Sequence, residues 1–279
     1  MKYGLYLPNF GDAISAQSIA DLASEAESAG WNGFFLWDHI LYSKTQTSPM
    51  VDPWIALTAA ATQTQKIHLG TTVTPLARRR PWVLARTTAT LDQLSNGRVI
   101  ISVGLGEPAK VEFSMFGEQA DPKIRAEKLD ESLDILNGLW KGEPFSHKGK
   151  HYQISKMTFQ PPVVQKPRIP IWVGGFWPNK APFRRAALWD GVIPLKKTGW
   201  LEPDDVRGIL EFINTYREIE FPFDLVIIGN QQKVRAGLKG IQKINAYIQA
   251  GATWWLESLY TSRNSMPKLK EKIRQGPPI

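Results

Sequence analysis

The sequence contains no cysteine among its 279 residues and only four histidines. The missing cysteine excludes disulfide bonds, a thiolate nucleophile, and zinc or iron–sulfur sites built from cysteine ligands. A mononuclear metal hydrolase needs several histidine and aspartate ligands at strand ends, and only His39 has such a place. His68 lies within a strand-like run, while His147 and His151 fall in a short hairpin pattern. We therefore predict no metal site.

Long apolar runs are also missing, because none approaches the roughly 20 residues that a membrane helix needs. The first residues, MKYGLYLPNFG, enter a strand-like pattern directly and lack the features of a signal peptide. The net charge is +8, yet the basic residues are scattered and their densest run is Arg78–Arg80. The sequence lacks three common motifs of nucleic-acid-binding proteins: the C2H2 zinc-finger spacing, the aromatic RNP box and the basic region followed by heptads. We predict a cytoplasmic protein without a membrane or nucleic-acid partner.

Short apolar runs alternate with helical patterns along the chain. The strand-like runs are YGLYLP, GFFLWDH, KIHLGTTVT, RVIISVGLG, IPIWVGG, GVIPL, FDLVIIGN and TWWLESLY. A helical pattern follows each run, and the second helix opens with an N-cap aspartate and a proline, Asp52-Pro53. Eight such units predict an α/β fold, a parallel eight-stranded (β/α)8 TIM barrel, in one domain over residues 1–279. Residues 142–168 are predicted to form a hairpin and Pro-rich insertion between strands 4 and 5. The competing interpretation is a doubly wound open sheet.

The active site of such a barrel lies at the carboxyl ends of its strands. Asp38 and His39 end the second strand and should open onto this mouth; alternatively, Asp38 caps a turn and His39 is merely exposed. The other strand ends are Asn9-Phe10, Thr71-Thr72-Val73, Gly104-Leu105-Gly106-Glu107, Gly174-Gly175-Phe176-Trp177, Leu195-Lys196, Asn230 and Glu257. A retaining glycosidase needs two carboxylates about 5 Å apart. A sugar hydrolase therefore remains an alternative function, with Asp38, Glu107 and Glu257 as candidate carboxylates.

Glycines at two strand ends leave backbone uncovered, which suits the close approach of a flat or phosphorylated ligand. Gly174-Gly175 precedes a helical pattern whose N-terminal amides can hold a phosphate. The alternative is that these glycines serve only the packing of the barrel. Trp37 and Trp177 stand at strand ends, where they can flank an aromatic cofactor.

Several segments of the chain, taken together, are similar to the sequences of one known protein family. In chain order from residue 3 to about residue 195 they are YGLYLPNFG, AESAGWNGFFLWDH, DPWIALTAAATQTQKIHLGTTVTPLARRRPWVLARTTATLDQLSNGRVIISVGLG, ILNGLWKGEPFSHKGKHYQI and PPVVQKPRIPIWVGG, and AGATWWLES comes later. Together they closely resemble the bacterial luciferase-like flavin-dependent oxidoreductases. The resemblance implies a (β/α)8 barrel that binds FMN, or the deazaflavin coenzyme F420, and subunits that form a homodimer.

The resemblance also implies roles for individual residues. The histidine of the DH segment, here His39, lies beside the flavin ring in that family. The segment Thr71-Thr72-Val73 should carry a bulge with a non-proline cis peptide bond against the back of the ring. The predicted cofactor-binding residues are Asn9, Trp37, Thr71, Thr72, Val73, Gly104, Gly106, Glu107, Gly174, Gly175 and Trp177.

By resemblance, the favoured function is a two-component monooxygenase. A separate flavin reductase would supply reduced FMN, and oxygen would be used to oxidise a small, largely apolar substrate. His39 is the predicted catalytic acid–base residue. Asp38, also predicted to be catalytic, either orients the imidazole or faces away from it, because neighbours in a strand point to opposite sides. The chain lacks the long lid insertion of many relatives, so we expect an open site or one closed by a partner subunit.

Three other functions remain as alternatives. A deazaflavin-dependent oxidoreductase would transfer a hydride without oxygen, and Arg78–Arg80 at the rim would suit the acidic tail of that coenzyme. The remaining two are a non-catalytic flavin-binding protein and the glycoside hydrolase.

Overall fold

A closed barrel of eight parallel strands forms the centre of the protein. The structure is a computed structural model that describes residues 1–218, 220–229, 238–260 and 265–278. Its strands are β1 (Lys2–Leu7), β2 (Gly33–Leu36), β3 (His68–Pro75), β4 (Val99–Gly104), β5 (Pro144–Lys148), β6 (Gln153–Thr158), β7 (Ile171–Trp177), β8 (Gly191–Lys196), β9 (Asp224–Gly229) and β10 (Trp254–Ser258). Around the barrel the order is β1-β2-β3-β4-β7-β8-β9-β10, and β10 pairs with β1. The predicted (β/α)8 barrel is confirmed, and the open sheet is excluded.

Helices lie between the strands as the sequence pattern predicts. They are α1 (Ala16–Ser28), α2 (Pro53–Gln63), α3 (Pro81–Leu94), α4 (Ala109–Glu112), α5 (Pro122–Trp140), α6 (Lys180–Ala186), α7 (Pro203–Asn214), α8 (Leu238–Gln249) and α9 (Met266–Arg274). The Asp52 side chain caps α2, accepting from the amides of Trp54 at 2.9 Å and Ile55 at 3.1 Å. Because proline at N1 loses no helical hydrogen bond, the Asp-Pro pair fixes where this helix begins.

Large side chains fill the inside of the barrel below its mouth. The ring centroid of Trp172 lies 5.2 Å from that of Phe35 and 5.2 Å from that of Trp254. Glycines make room for these rings, since a Cβ at Gly33 would lie 2.9 Å from the Trp254 ring. Interiors pack at nearly crystalline density, so these rings leave no ligand space between them. A cavity lies above them, at the carboxyl ends of the strands.

The predicted hairpin is present as the antiparallel pair β5–β6. Glu131 of α5 accepts from the backbone amide of His151 at 3.0 Å and lies 3.2 Å from Nε2 of His147. The Nε2 atom of His151 lies 2.8 Å from Glu127 of the same helix. These two histidines therefore fasten the insertion to α5.

Another histidine of the chain, His68, lies in β3, where burial lowers its pKa.

Within the described ranges, no group of three or more histidine or acidic side chains is arranged to hold a metal ion. The same ranges contain no helix with both the length and the apolar character needed to cross a membrane.

The strand pairing makes a testable prediction about two glycines. A Cβ at Gly70 in β3 would overlap the carbonyl oxygen of Ile100 in β4, whereas a Cβ at Gly208 in α7 would meet nothing closer than 3.7 Å. We expect Gly70→Ala to lower the free energy of unfolding by about 3 kcal/mol, the upper end of overpacking costs. Gly208→Ala should raise it by about 0.5–1 kcal/mol, because alanine restricts the unfolded chain. Urea denaturation of both variants measures the two effects, and similar values for the pair would contradict the strand packing described here.

Candidate active site

A cavity of about 520 Å³ opens at the carboxyl ends of the barrel strands. Most of the predicted site residues line it, namely Trp37, Asp38, His39, Thr72, Val73, Gly104, Gly106, Glu107, Gly174 and Gly175. The volume is within the usual range for small-molecule and cofactor sites. The ends of β2, β3, β4 and β7 thus bring together residues that are far apart in the chain.

Three predicted residues lie outside the described lining of this cavity. The Asn9 side-chain amide donates to the carbonyl of His39 at 2.9 Å, so it braces the backbone after β2. The Thr71 hydroxyl lies 2.7 Å from that of Thr74. Trp177 packs against Phe183 at 5.1 Å between ring centroids, on the side of the helices. Of the other strand ends, Asn230 lies outside the described residues.

The base of the cavity is formed where β3 departs from regular geometry. The peptide bond between Thr72 and Val73 is cis, as the resemblance implies, and the register of β3 against β4 shifts there. A Cβ at Gly104 or at Gly174 would lie 2.9 Å from a Val73 methyl group. The two glycines therefore let Val73 reach between β4 and β7, which gives the cavity an apolar floor with bare backbone on both sides. A planar ring fits such a surface.

A buried carboxylate orients the His39 imidazole. Nδ1 of His39 lies 2.8 Å from Oε1 of Glu112, whose side chain is completely buried at the end of α4. The other oxygen of Glu112 lies 3.1 Å from Nε of Arg78, at ion-pair distance though outside hydrogen-bond geometry. Glu112 was not among the predicted site residues, because it lies beyond the end of β4. The available signal was a single acid between Val111 and Phe113, shortly after the glycines of β4.

Asp38 faces away from the imidazole, the second of the two predicted arrangements. Its carboxylate accepts from Arg79 at 2.6 and 2.9 Å, from Arg78 at 2.9 Å and from the Thr74 hydroxyl at 2.9 Å. Burial by itself raises the pKa of Asp38, but Arg79, Arg78 and the Thr74 hydrogen bond outweigh it and hold that pKa below its usual value. Asp38 therefore ties the segment after β2 to the segment after β3.

The side chains of Arg78–Arg80, which were predicted to lie at the rim of the site, pair with other residues of the protein. Arg78 and Arg79 form ion pairs inside the protein with Asp38, and Arg79 also lies 3.6 Å from Asp52. Arg80 lies over the Trp82 ring, 5.8 Å from its centroid. The guanidinium groups of Arg78 and Arg79 already pair with buried acids, and a role of the three arginines in receiving an acidic coenzyme tail stays a prediction.

The remaining carboxylates do not form a glycosidase pair. Glu257 is buried, accepts from the Trp255 indole at 3.0 Å and does not belong to the described cavity lining. Glu107 lines the cavity, but its side chain is 59% exposed and it caps the Ala109 amide at 3.0 Å. Asp38 is already paired with arginine. The hydrolase alternative therefore has no support in the geometry.

His39 also borders a second cavity of about 370 Å³ on the other side of the DH segment. Its lining includes Met50, Val51, Arg78 and Arg79. His39 is therefore a lining residue of both cavities.

Comparison with known proteins places this geometry in context. A model of the luciferase-like monooxygenase family matches residues 1–213. An F420-dependent glucose-6-phosphate dehydrogenase of Nakamurella multipartita is 32% identical over 77% of this chain and 68% of its own length. A protein of the same description from Microbacterium testaceum is 32% identical over 60% of this chain but only 49% of its own.

Solved structures share the fold. The coenzyme F420-dependent tetrahydromethanopterin reductase of Methanopyrus kandleri superimposes with a TM-score of 0.76, covering 99% of this chain and 98% of that one. The sequences are 18% identical, so this similarity concerns the barrel alone.

The buried ion pairs of Asp38 predict a pH-dependent loss of stability. We expect Asp38→Asn to lower the free energy of unfolding by about 3–5 kcal/mol near neutral pH, since it leaves buried arginine charge uncompensated. The lowered pKa means that the stabilisation by Asp38 is complete above the ordinary carboxyl range and is lost as the pH falls through the folded-state pKa. The gap between wild type and variant in urea denaturation should therefore narrow in strong acid. An equal gap at neutral and acidic pH would contradict the assignment.

Proposed function

Because the chain belongs to the luciferase-like monooxygenase family, we propose that it is an F420-dependent oxidoreductase that transfers a hydride between the coenzyme and a small substrate. The observation that carries the proposal is His39 at the cavity, fixed by the buried Glu112. The F420-dependent relatives support this cofactor over the FMN monooxygenase favoured by the sequence argument. Because the matches span about half to two thirds of those relatives, their sugar-phosphate substrate is not carried over.

The cavity lining fits a deazaflavin ring. Val73 offers an apolar surface, and Gly104 and Gly174 leave backbone bare on either side of it. Asn179, the N-cap residue of α6, also lines the cavity and would be among the residues that hold the coenzyme. When bound, the coenzyme would supply the hydride acceptor or donor.

The residues of the chain move the proton. A carboxylate that accepts from Nδ1–H of His39 leaves Nε2 unprotonated in the neutral imidazole. Nε2 can then take the proton of a substrate hydroxyl while the carbon bearing it gives up a hydride.

His39 should be needed for turnover but not for coenzyme affinity. We expect wild type to bind oxidised F420 in calorimetry and to reduce it anaerobically with at least one of glucose 6-phosphate, 2-propanol and 1-phenylethanol. His39→Ala should retain F420 affinity within about threefold and lose about 10²–10⁴ in kcat, the usual contribution of a general acid–base. The control His147→Ala, in the hairpin, should leave kcat unchanged. Oxygen uptake with reduced FMN, together with no binding of F420, would support the monooxygenase and contradict the proposal.

Glu112 should act through His39 as a positioning residue. We expect Glu112→Gln to lower kcat about tenfold or more while the KM of the substrate changes little. In a His39→Ala background the same substitution should have almost no further effect, because residues acting as a unit are strongly non-additive. The double-mutant cycle in kcat measures this coupling, and additive losses would contradict it.

A further inference from the structure

Aromatic rings form one wall of the main cavity. Trp37 is at the centre of this wall, and its ring centroid lies 5.4 Å from Tyr6, 5.6 Å from His39, 5.8 Å from Phe10, 5.9 Å from Tyr42 and 6.1 Å from Tyr260. Trp37, Tyr6, His39 and Tyr42 line the cavity directly. Tyr42 stacks on Phe10 at 4.8 Å and is 43% exposed, so it marks the outer edge. We call this surface the aromatic wall.

The aromatic wall is held in place before any ligand arrives. Each ring pair of this kind contributes about 0.5–1.5 kcal/mol beyond the burial of its area. Contacts on several sides of Trp37 therefore restrict its rotation, and a rigid platform costs little entropy when a ligand binds.

The surroundings of the aromatic wall favour a neutral ligand. Across the cavity the lining includes the apolar residues Ile193, Leu195 and Ile228 of β8 and β9. The side chain of Glu107, which also lines the cavity, is 59% exposed and accepts from the Ala109 amide. Asp38 is neutralised by arginines, and the described lining contains no lysine or arginine that would pair with a phosphate. A cationic ligand is disfavoured as well, because it would stand beside an imidazole that becomes positively charged during turnover.

We propose that the substrate is a neutral aromatic secondary alcohol, interconverted with its aryl ketone, whose ring lies against the aromatic wall. This inference rests on the hydride-transfer function proposed above. The carbinol carbon loses a hydride to oxidised F420, and the hydroxyl proton goes to Nε2 of His39. The carbon is oxidised by two electrons, the coenzyme is reduced by two, and the product is the ketone. Since the His39 and Trp37 centroids are 5.6 Å apart, one small molecule reaches both.

Calorimetric titration with the product ketone tests the aromatic wall without turnover. The probes are acetophenone, cyclohexyl methyl ketone with the same number of carbons, glucose 6-phosphate and benzyltrimethylammonium. We expect acetophenone to bind most tightly. Tyr42→Leu should weaken acetophenone about five- to tenfold, the loss of one ring contact, and weaken the cyclohexyl ketone less. Trp37→Phe, which keeps a ring at the centre of the wall, should weaken acetophenone by a smaller factor than Trp37→Leu.

The matched control is Tyr216→Leu, since Tyr216 is a similarly exposed tyrosine beyond the end of α7 and outside the cavity lining. It should leave acetophenone affinity unchanged.

Tighter binding of glucose 6-phosphate or of benzyltrimethylammonium than of acetophenone would overturn the inference. So would an unchanged acetophenone affinity in Tyr42→Leu. Titration of the same samples with oxidised F420 separates the two proposals. If acetophenone binds and F420 does not, the proposed F420-dependent function fails while the aromatic wall stands. If F420 binds and acetophenone does not, the proposed function stands while the aromatic substrate is contradicted.

Discussion

The site depends on a buried network of ion pairs that joins three loops. Asp38 follows β2, Arg78 and Arg79 follow β3, and Glu112 ends α4 after β4. Their charges compensate one another at contacts between 2.6 and 3.1 Å, and the side chains of both carboxylates are completely buried. Removing one partner of such a set is costly, because the others remain charged and buried. His39 takes its orientation from this network through Glu112.

The packing inside the barrel also determines where the ligand cavity lies. Trp172 and Trp254 fill the interior, so a ligand is confined to the strand ends. Gly104 and Gly174 are required there by the approach of Val73, which unites the two explanations considered for these glycines. They serve packing, and the same packing leaves a flat apolar surface beside bare backbone.

Much of this was predictable from local sequence. Alternating strand and helix patterns predict the barrel, and Asp52-Pro53 fixes the start of a helix through its own capping geometry. The strand-end rule places His39 at the cavity because it depends only on strand direction. Side-chain pairing is different, because it depends on contacts between distant loops. Strand alternation favours Asp38 facing away from His39, and the apolar neighbours of Glu112 suit a buried acid, but nothing local indicates that Glu112 meets the imidazole. Nothing local indicates that Arg78 and Arg79 turn inward.

The account is that a proton-transfer group and a planar redox ring share one cavity. A crystal structure of the protein with oxidised F420 tests this most directly. We predict electron density for the deazaflavin ring against Val73, between the glycines of β4 and β7, with the His39 imidazole beside it and Trp37 facing the remaining space. A ring bound away from Val73, or one separated from His39 by another part of the chain, would contradict the account.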